Sequence, residues 1–437
     1  MNISVIGLGK LGLPFSFFLA SKKNKIIGHD VNHKIEKIII KNKKNIEPNL
    51  NKYIKKNIKN FRYEKNIVEV IRKTKITFLV LPTPSLPNGS FTNKYILKSL
   101  NKISQALKKK KNKKHLIVIT STVSPGSCED IFIPYLKKKG LKERKDFLLV
   151  YNPHFIAQGS TIYNLEKPDL LLLGCDSEQS YKIINKFYKN IYDTKIIKKT
   201  KLREGEIAKI SINSYITSKI SFANYISELC EKSENTDAKK VLDVIGQDKR
   251  INPYYMKIGT KFSGPCFPRD NLALSNYSKK MNINSLIPDK NDSINKIQTR
   301  RLIKILKKII KNKGSFNIGI CGMTYKNNTN IIKNSQGDDL LNSISKNKIK
   351  YNNIFIYDEF LQSSQIQNIK KKIFSVKDKK TFINKSDIIY LMYDVKNFNF
   401  NNYKGNKKKY IVDCWRLLDN LPKPLIKIDL GKFSKYI

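Results

Sequence analysis

The sequence predicts an α/β protein, with two parallel-sheet halves joined by a helical stretch, on three observations. Between residues 2 and 174, short apolar runs end in turn residues and alternate with helical spacing. At about residue 202 the apolar positions change to the spacing of one long helix. Short apolar runs return after Gly314. Strand–helix alternation of this kind marks a doubly wound parallel sheet.

The first thirty residues justify the first half. "NISVIGLGKLGLPFSFFLA" reads as strand, turn and helix, and "KIIGHD" as a second strand ending at Asp30. Gly7, Gly9 and Gly12 stand in the turn. The first allows a tight bend, the second lets a pyrophosphate approach the backbone, and the third lets helix and strand pack closely. Asp30 lies where a carboxylate takes the ribose hydroxyls, which favours NAD over NADP because it would repel a 2′-phosphate. This is a Rossmann-type corner. Further strands are expected in "KITFLVLPTP" (75–84), "HLIVITSTV" (115–123), "FLLVYNP" (147–153) and "DLLLLG" (169–174). Ligands collect at the carboxyl ends of such strands, where Thr83, Thr122 and "NPHFIAQG" (152–159) lie.

From about 202 to 234, Ile207, Ile210, Ile220, Ala223, Ile226 and Leu229 form an apolar stripe. Glu206, Lys209 and Asn213 share another face. Helix continues to about 246, and an irregular stretch holding Cys266 follows. An amphipathic helix at about 294–312, ending near Gly314, reads as a connector. Strands then recur in "FNIGICGMTYK", "NNIFIYDE", "DIIYLMYD" and "KYIVDCW". This half lacks GxGxxG and should bind something other than a second dinucleotide. The expected domains are 1–198, 199–296, a connecting helix 297–313, and 314–437.

Composition narrows the class. The chain has 437 residues, 40% of them hydrophobic, enough for two or three cored domains. Its net charge of +50 invites a nucleic-acid reading, but Lys, Asn and Ile are abundant throughout and no single basic arm stands out. The densest run, "LKKKKNKK" (107–114), reads as a solvated turn, so no nucleic-acid partner is expected. Six scattered cysteines with no CxxC pair point to reduced thiols and a cytoplasmic setting. "LGLPFSFFLASKK" superficially resembles a signal peptide, but no positive charge precedes it and it fits the glycine-turn helix. No apolar run reaches membrane-span length, so no membrane partner is expected. His29, His33, His115 and His154 are too dispersed for a metal site.

"FSGPCFPRD" (262–270) sets a thiol between two prolines, with Arg269 and Asp270 close behind. A core cysteine needs none of this, whereas a nucleophile needs a fixed backbone and charged neighbours. Together with the glycine turn, "VLPTP", "STVSPG", "NPHFIAQG", Lys209, Asn213, Arg250, "GMTYKNNT" and "YDE", these residues resemble the UDP-glucose/GDP-mannose dehydrogenase family over essentially the whole chain.

The resemblance implies an N-terminal NAD domain, a central helical dimerisation region and a C-terminal Rossmann-like nucleotide-sugar-binding domain. It implies oxidation of a nucleotide-sugar C6 alcohol to a carboxylate by two NAD+. Cys266 would be the nucleophile, Lys209 and Asn213 would stabilise an oxyanion, Asp270 would hold a water or move a proton, and Thr122 would help position that water. The cofactor would touch Gly7, Leu8, Gly9, Lys10, Leu11, Gly12, Asp30, Lys34, Thr83, Thr122, Gln158, Arg269 and Lys333. The substrate would touch His154, Phe155, Ile156, Ala157, Gln158, Lys209, Asn213, Tyr255, Met256, Lys257, Ile258, Gly259, Ser263, Lys326 and Arg416. Arg250 matches an arginine that crosses to the partner's site, which implies a homodimer or larger homo-oligomer. The implied substrate is UDP-glucose or another nucleotide sugar, such as GDP-mannose or a UDP-N-acetylhexosamine. A basic binding protein on the same scaffold is the competing reading, which salt-sensitive nucleic-acid binding without NADH production would support.

Some positions depart from the family. His154 and Gln158 stand where many relatives carry glutamates, one of them associated with thioester hydrolysis. Imidazole can replace such a base, whereas a Gln amide can only hydrogen-bond. Lys261 and Ser263 occupy glycine positions of the family's "GFGGSC". Asn330 and Ile331 replace an acidic pair, and Lys333 an arginine. The other five cysteines, Cys128, Cys175, Cys230, Cys321 and Cys414, read as buried core thiols.

Overall fold

The computed structural model describes residues 2–40, 47–110, 114–311, 315–361, 372–393, 398, 400, 403, 405–434 and 436. It forms two compact units, Met1–Ile212 with Ala273–Ile283, and Asn213–Leu272 with Asn284–Ile437. The chain passes from one to the other inside the helix Leu202–Lys232. The sequence places a boundary earlier, at 198/199, where strand gives way to helix. Compactness divides the chain later because the start of this helix belongs to the first unit, where Ile210 packs with Phe91 and Ala273. The helices expected to make a separate central domain are therefore shared between two units.

The first unit holds an eight-stranded sheet in the order β3-β2-β1-β4-β5-β6-β7-β8. The strands are β1 (Asn2–Ile6), β2 (Lys25–His29), β3 (Phe61–Tyr63), β4 (Ile76–Leu79), β5 (His115–Ile119), β6 (Phe147–Tyr151), β7 (Leu171–Gly174) and β8 (Ile197–Thr200). β4 to β7 are buried along their whole length, which is why they read as continuous apolar runs. The apolar stretch that mimics a signal peptide is the helix Gly12–Ser21, buried from Gly12 to Ala20.

One expectation fails here. β7 runs antiparallel to β6, meeting it at Tyr151 and Gly174, while β8 is again parallel to β7. The link from β6 includes only a six-residue helix, Thr161–Glu166, which packs against Gly12–Ser21. An apolar run buried on both faces fits either strand direction, so the sequence does not decide this one. The lysine-rich turn also differs from its solvated reading: Lys110 Nζ donates to the carbonyls of Ile71 (2.9 Å) and Thr74 (2.5 Å). Lys111–Lys113 of that run lie outside the described residues.

The second unit holds a six-stranded sheet in the order β11-β10-β9-β12-β13-β14. Its strands are β9 (Ile318–Cys321), β10 (Ile354–Tyr357), β11 (Ile373–Ser375), β12 (Ile388–Leu391), β13 (Lys409–Asp413) and β14 (Leu425–Asp429), all parallel. Its largest core joins these strands to the helices Leu202–Lys232, Ala238–Gln247 and Leu286–Ile310. The last of these begins about two turns before its expected start at 294. Pro288 falls in its first turn, where a missing N–H costs no helical bond. Gly314, the expected end marker, lies outside the described residues.

Candidate active site

In the first unit the site grows from the corner after β1. Gly7 has φ of +95°, and a Cβ there would lie 2.2 Å from the Val80 carbonyl oxygen. A Cβ on Gly12 would lie 1.8 Å from the Gly7 carbonyl oxygen, so helix and strand touch backbone to backbone. A Cβ on Gly9 would meet nothing within 4 Å. Gly9 therefore faces open space, as a pyrophosphate cradle requires. Asp30 braces this corner, its Oδ2 accepting from Leu8 N (2.7 Å) and its Oδ1 from Asn32 N (2.7 Å). Lys34 opens the next helix and is exposed.

The loops after β4, β5 and β6 lie at the same carboxyl edge. Thr83 Oγ1 donates to the Thr122 carbonyl (2.6 Å), and Leu81 N donates to Ser121 Oγ (2.8 Å). Gly126 N and Cys128 N donate to the fully buried Glu206 carboxylate at 2.5 and 2.9 Å. Burial pushes that carboxyl up to about 7, against the pull of those amides. Glu206 thus holds the loop that carries Thr122.

Lys209 is 5% exposed. Its ammonium donates to the His154 carbonyl (2.8 Å) and lies 4.3 Å from the centre of the Phe155 ring. The His154 ring meets Phe15 edge to face at 4.6 Å, and its Nδ1 has no hydrogen-bond partner. Burial, and secondarily Lys209, pushes its pKa down to about 3, so the imidazole is neutral near pH 7. Gln158 Oε1 is buried and also lacks a partner. Open space at Gly9 and an orphaned acceptor at Gln158 both fit a dinucleotide.

The far end of this loop is fixed by Glu47, which accepts from Gly159 N (3.0 Å), Thr161 N (2.5 Å) and Thr161 Oγ1 (2.9 Å). Sequence reasoning missed Glu47. Its signal would have been an acid with no local partner, separated from the loop by more than a hundred residues.

In the second unit, Cys266 is exposed and immediately precedes the helix Phe267–Lys280. Its carbonyl accepts from Asp270 N (2.8 Å), which closes the first turn. Asp270 is fully buried, with Oδ2 accepting from Asn213 Nδ2 (2.5 Å) and Oδ1 from Arg269 Nε (3.0 Å). Arg269, expected at the cofactor, is thus engaged by Asp270. Asn271 is gripped by Ser214 and Thr217, each donating to its Oδ1. The turns Asn213–Thr217 and Cys266–Asn271 are thereby locked together. The other five cysteines are buried.

Tyr255, at φ of +66°, leads the segment Tyr255–Gly259, and its ring meets Phe267 edge to face at 6.1 Å. Met256 and Ile258 point into the core, while Lys257 is exposed. Lys326 follows Tyr325 in the loop after β9, with its ammonium 5.8 Å from that ring's centre. Lys333, in the same loop, is exposed. Arg416, expected to touch the substrate, is held by two carboxylates. Its Nη1 and Nη2 donate to Asp237 at 2.9 Å, and its Nε lies 3.4 Å from Asp429. Burial and two carboxylates make it an internal brace. Arg250 is 88% exposed on its side chain, bonded only to the nearby Asp248 among the described residues.

Three family models match in chain order. They are the NAD-binding domain (residues 1–192), the central domain (203–297) and the UDP-binding domain (319–420) of the UDP-glucose/GDP-mannose dehydrogenase family. The chain belongs to that family. It carries the domains of an NAD-dependent nucleotide-sugar dehydrogenase.

Among its relatives, a UDP-glucose 6-dehydrogenase of Rickettsia conorii is 30% identical over 96% of both chains. A GDP-mannose 6-dehydrogenase of Pseudomonas putida is 28% identical over 85% of this chain and 84% of its own. In fold, the chain matches a UDP-glucose dehydrogenase of Pyrobaculum islandicum with a TM-score of 0.88, at 22% identity, over 99% of this chain and 98% of that one. Among the described residues no helix is long and apolar enough to cross a membrane.

Proposed function

We propose that this dehydrogenase oxidises the C6 alcohol of UDP-glucose to UDP-glucuronate, for polysaccharide synthesis. The observation that carries the reading is the Cys266–Asp270–Asn213 constellation: an exposed thiol at a helix start, above a buried carboxylate held by an amide. Similarity to the rickettsial relatives favours UDP-glucose. Similarity to GDP-mannose 6-dehydrogenases keeps another nucleotide sugar as the second reading.

Bound NAD supplies the hydride acceptor, twice per sugar. The chain's residues supply the rest. After the first oxidation gives the C6 aldehyde, the Cys266 thiolate adds to it as a thiohemiacetal. Lys209 and Asn213 stabilise the alkoxide oxygen. Loss of hydride from that carbon leaves a thioester on Cys266, and water releases the carboxylate and regenerates the thiol. Thr122 and Asp270 position that water. His154 is the base, in the neutral form that its burial favours. Gln158 accepts from the carboxamide of the cofactor, and Lys326 reaches the nucleotide sugar.

The enzyme works as a homodimer. Tyr215, Phe222, Tyr225 and Leu229 are exposed along one helix, Val244 on the next, and Arg250 extends beyond them. Six cysteines outside any disulfide suit a reducing compartment such as the cytoplasm.

NADH production across a panel of nucleotide sugars tests the substrate. Cys266→Ser should abolish uronate formation while UDP still binds; full turnover by that variant removes Cys266 from the mechanism. His154→Ala should accumulate the Cys266 thioester, seen by mass spectrometry, and His154→Glu should hydrolyse it. Parent-rate hydrolysis by His154→Ala would assign the base elsewhere.

A further inference from the structure

The segment from Gly259 to Cys266 has no helix or strand of its own, so its neighbours set the aim of the thiol. Asn224 and Asn295, on helices, donate to the carbonyls of Thr260 (3.2 Å) and Phe262 (2.9 Å). A Cβ on Gly259 would lie 2.9 Å from the Trp415 ring. One on Gly264, at φ of +81°, would lie 2.5 Å from the Tyr325 ring. These contacts guide the backbone but are neutral. Among the described residues the segment's ionic tether is Lys261, whose ammonium pairs with Asp339 in the first turn of the helix Gln336–Lys346. Lys261 N also donates to Gln336 Oε1 (3.3 Å), and Gln336 Nε2 to Thr299 Oγ1 (3.0 Å).

We propose that the Lys261–Asp339 pair is a positioning clamp for the Cys266 thiol. This rests on Cys266 being the nucleophile. An exposed ion pair holds little. Lys261 is different, because its side chain is only 10% exposed and loss of its partner leaves a charge in a poor solvent. The position carries glycine in the motif that this segment resembles, and glycine offers no tether. Here the second sheet's helix grips the segment five residues ahead of the thiol. A shift of one ångström at a reacting atom costs about a hundredfold in rate, so a clamp at this distance acts on turnover.

The test is a charge cycle with two readouts. Alkylation of Cys266 by iodoacetamide is followed on its peptide by mass spectrometry, without cofactor or substrate. NADH formation from UDP-glucose gives kcat and KM. Lys261→Met and Asp339→Asn should each change the alkylation rate about fivefold and lower kcat about tenfold, with KM within about twofold. The double variant should be no worse than either single. The swapped pair, Lys261→Asp with Asp339→Lys, should recover most of both. Asp339→Asn is isosteric at a partly exposed site, so it folds and yields a result in every case. Parent-like alkylation and kcat in Asp339→Asn, additive losses in the double, or no recovery in the swap would each overturn the clamp. If the parent makes no NADH from any nucleotide sugar, the proposed function fails, while the alkylation cycle still decides the clamp.

Discussion

The two sheets solve one packing problem twice and put it to different use. In the first, Gly7 ends β1 with φ of +95° and Gly12 of the following helix touches its carbonyl. In the second, Gly322 follows β9 with φ of +98°, and a Cβ on Gly337 would lie 2.6 Å from the Gly322 carbonyl oxygen. An acid at the end of the neighbouring strand braces each corner. Asp30 Oδ2 accepts from Leu8 N, and Asp358 Oδ2 accepts from Met323 N, Thr324 N and Thr324 Oγ1, each at 2.8 Å. A lysine tied to backbone carbonyls also recurs: the buried Lys409 Nζ donates to Asn384 O and Ser386 O, as the half-buried Lys110 does to Ile71 O and Thr74 O. The difference is loop length. The first pair of glycines is five positions apart and presents bare backbone and a helix N-terminus, which suits a pyrophosphate. The second pair is fifteen apart, and its loop presents side chains, Tyr325 and Lys326 among them. Identical corners thus support different ligands because the loops between the glycines differ.

The largest effect should come from filling the two corners. Gly12→Ala drives a methyl into backbone, and overpacking of this kind costs about 3 kcal/mol or more. It should abolish NADH binding, read by fluorescence titration. Gly337→Ala, with more room, should cost less, keep NADH binding and weaken UDP binding. Loss of NADH binding in Gly337→Ala would show that the corners do not act separately.

The acids should separate next. Asp358→Ala strands four donors, Phe360 N being the fourth, and should lower stability by about 2–3 kcal/mol in urea unfolding. Asp30→Ala strands fewer. Its main effect should be on cofactor choice, lowering the preference for NAD over NADP about tenfold by removing the repulsion of a 2′-phosphate. Faster turnover with NADP by the parent would overturn the role of Asp30.

The smallest effect concerns pH. All four histidines lie in the first unit. Burial pushes His115 and His154 down to about 3, and pushes Glu206 up to about 7. Between about pH 4.5 and 6.5 unfolding adds two protons at the imidazoles and releases one from Glu206. The net uptake is one proton, so these three groups make stability fall by about 1.4 kcal/mol per unit as the pH drops. Trp415, the single tryptophan, reports the second unit alone, and circular dichroism reports both. Melts at pH 6.5 and 5 should shift the dichroism transition more than the fluorescence transition. Equal shifts would mean that the units unfold as one.

The sequence by itself determined the central strands, because β1, β4, β5, β6, β9, β12 and β13 are buried on both faces and are therefore mostly apolar. It determined the glycine corner, because only glycine tolerates those backbone approaches, and it located Cys266 and Asp270 one helical turn apart. Tertiary structure decided what depends on distant partners. The short strands β3, β11 and β8 carry few apolar residues and were not legible, and the direction of β7 against β6 could not be read from its apolar run. The sequence placed Glu206 on a face with Lys209 and Asn213, but only the fold turned it to the amides of Gly126 and Cys128. Glu47, Asp358 and the Lys261–Asp339 pair belong to the same class. A carboxylate's partner is chosen by proximity and burial, and neither is written in the residues beside it.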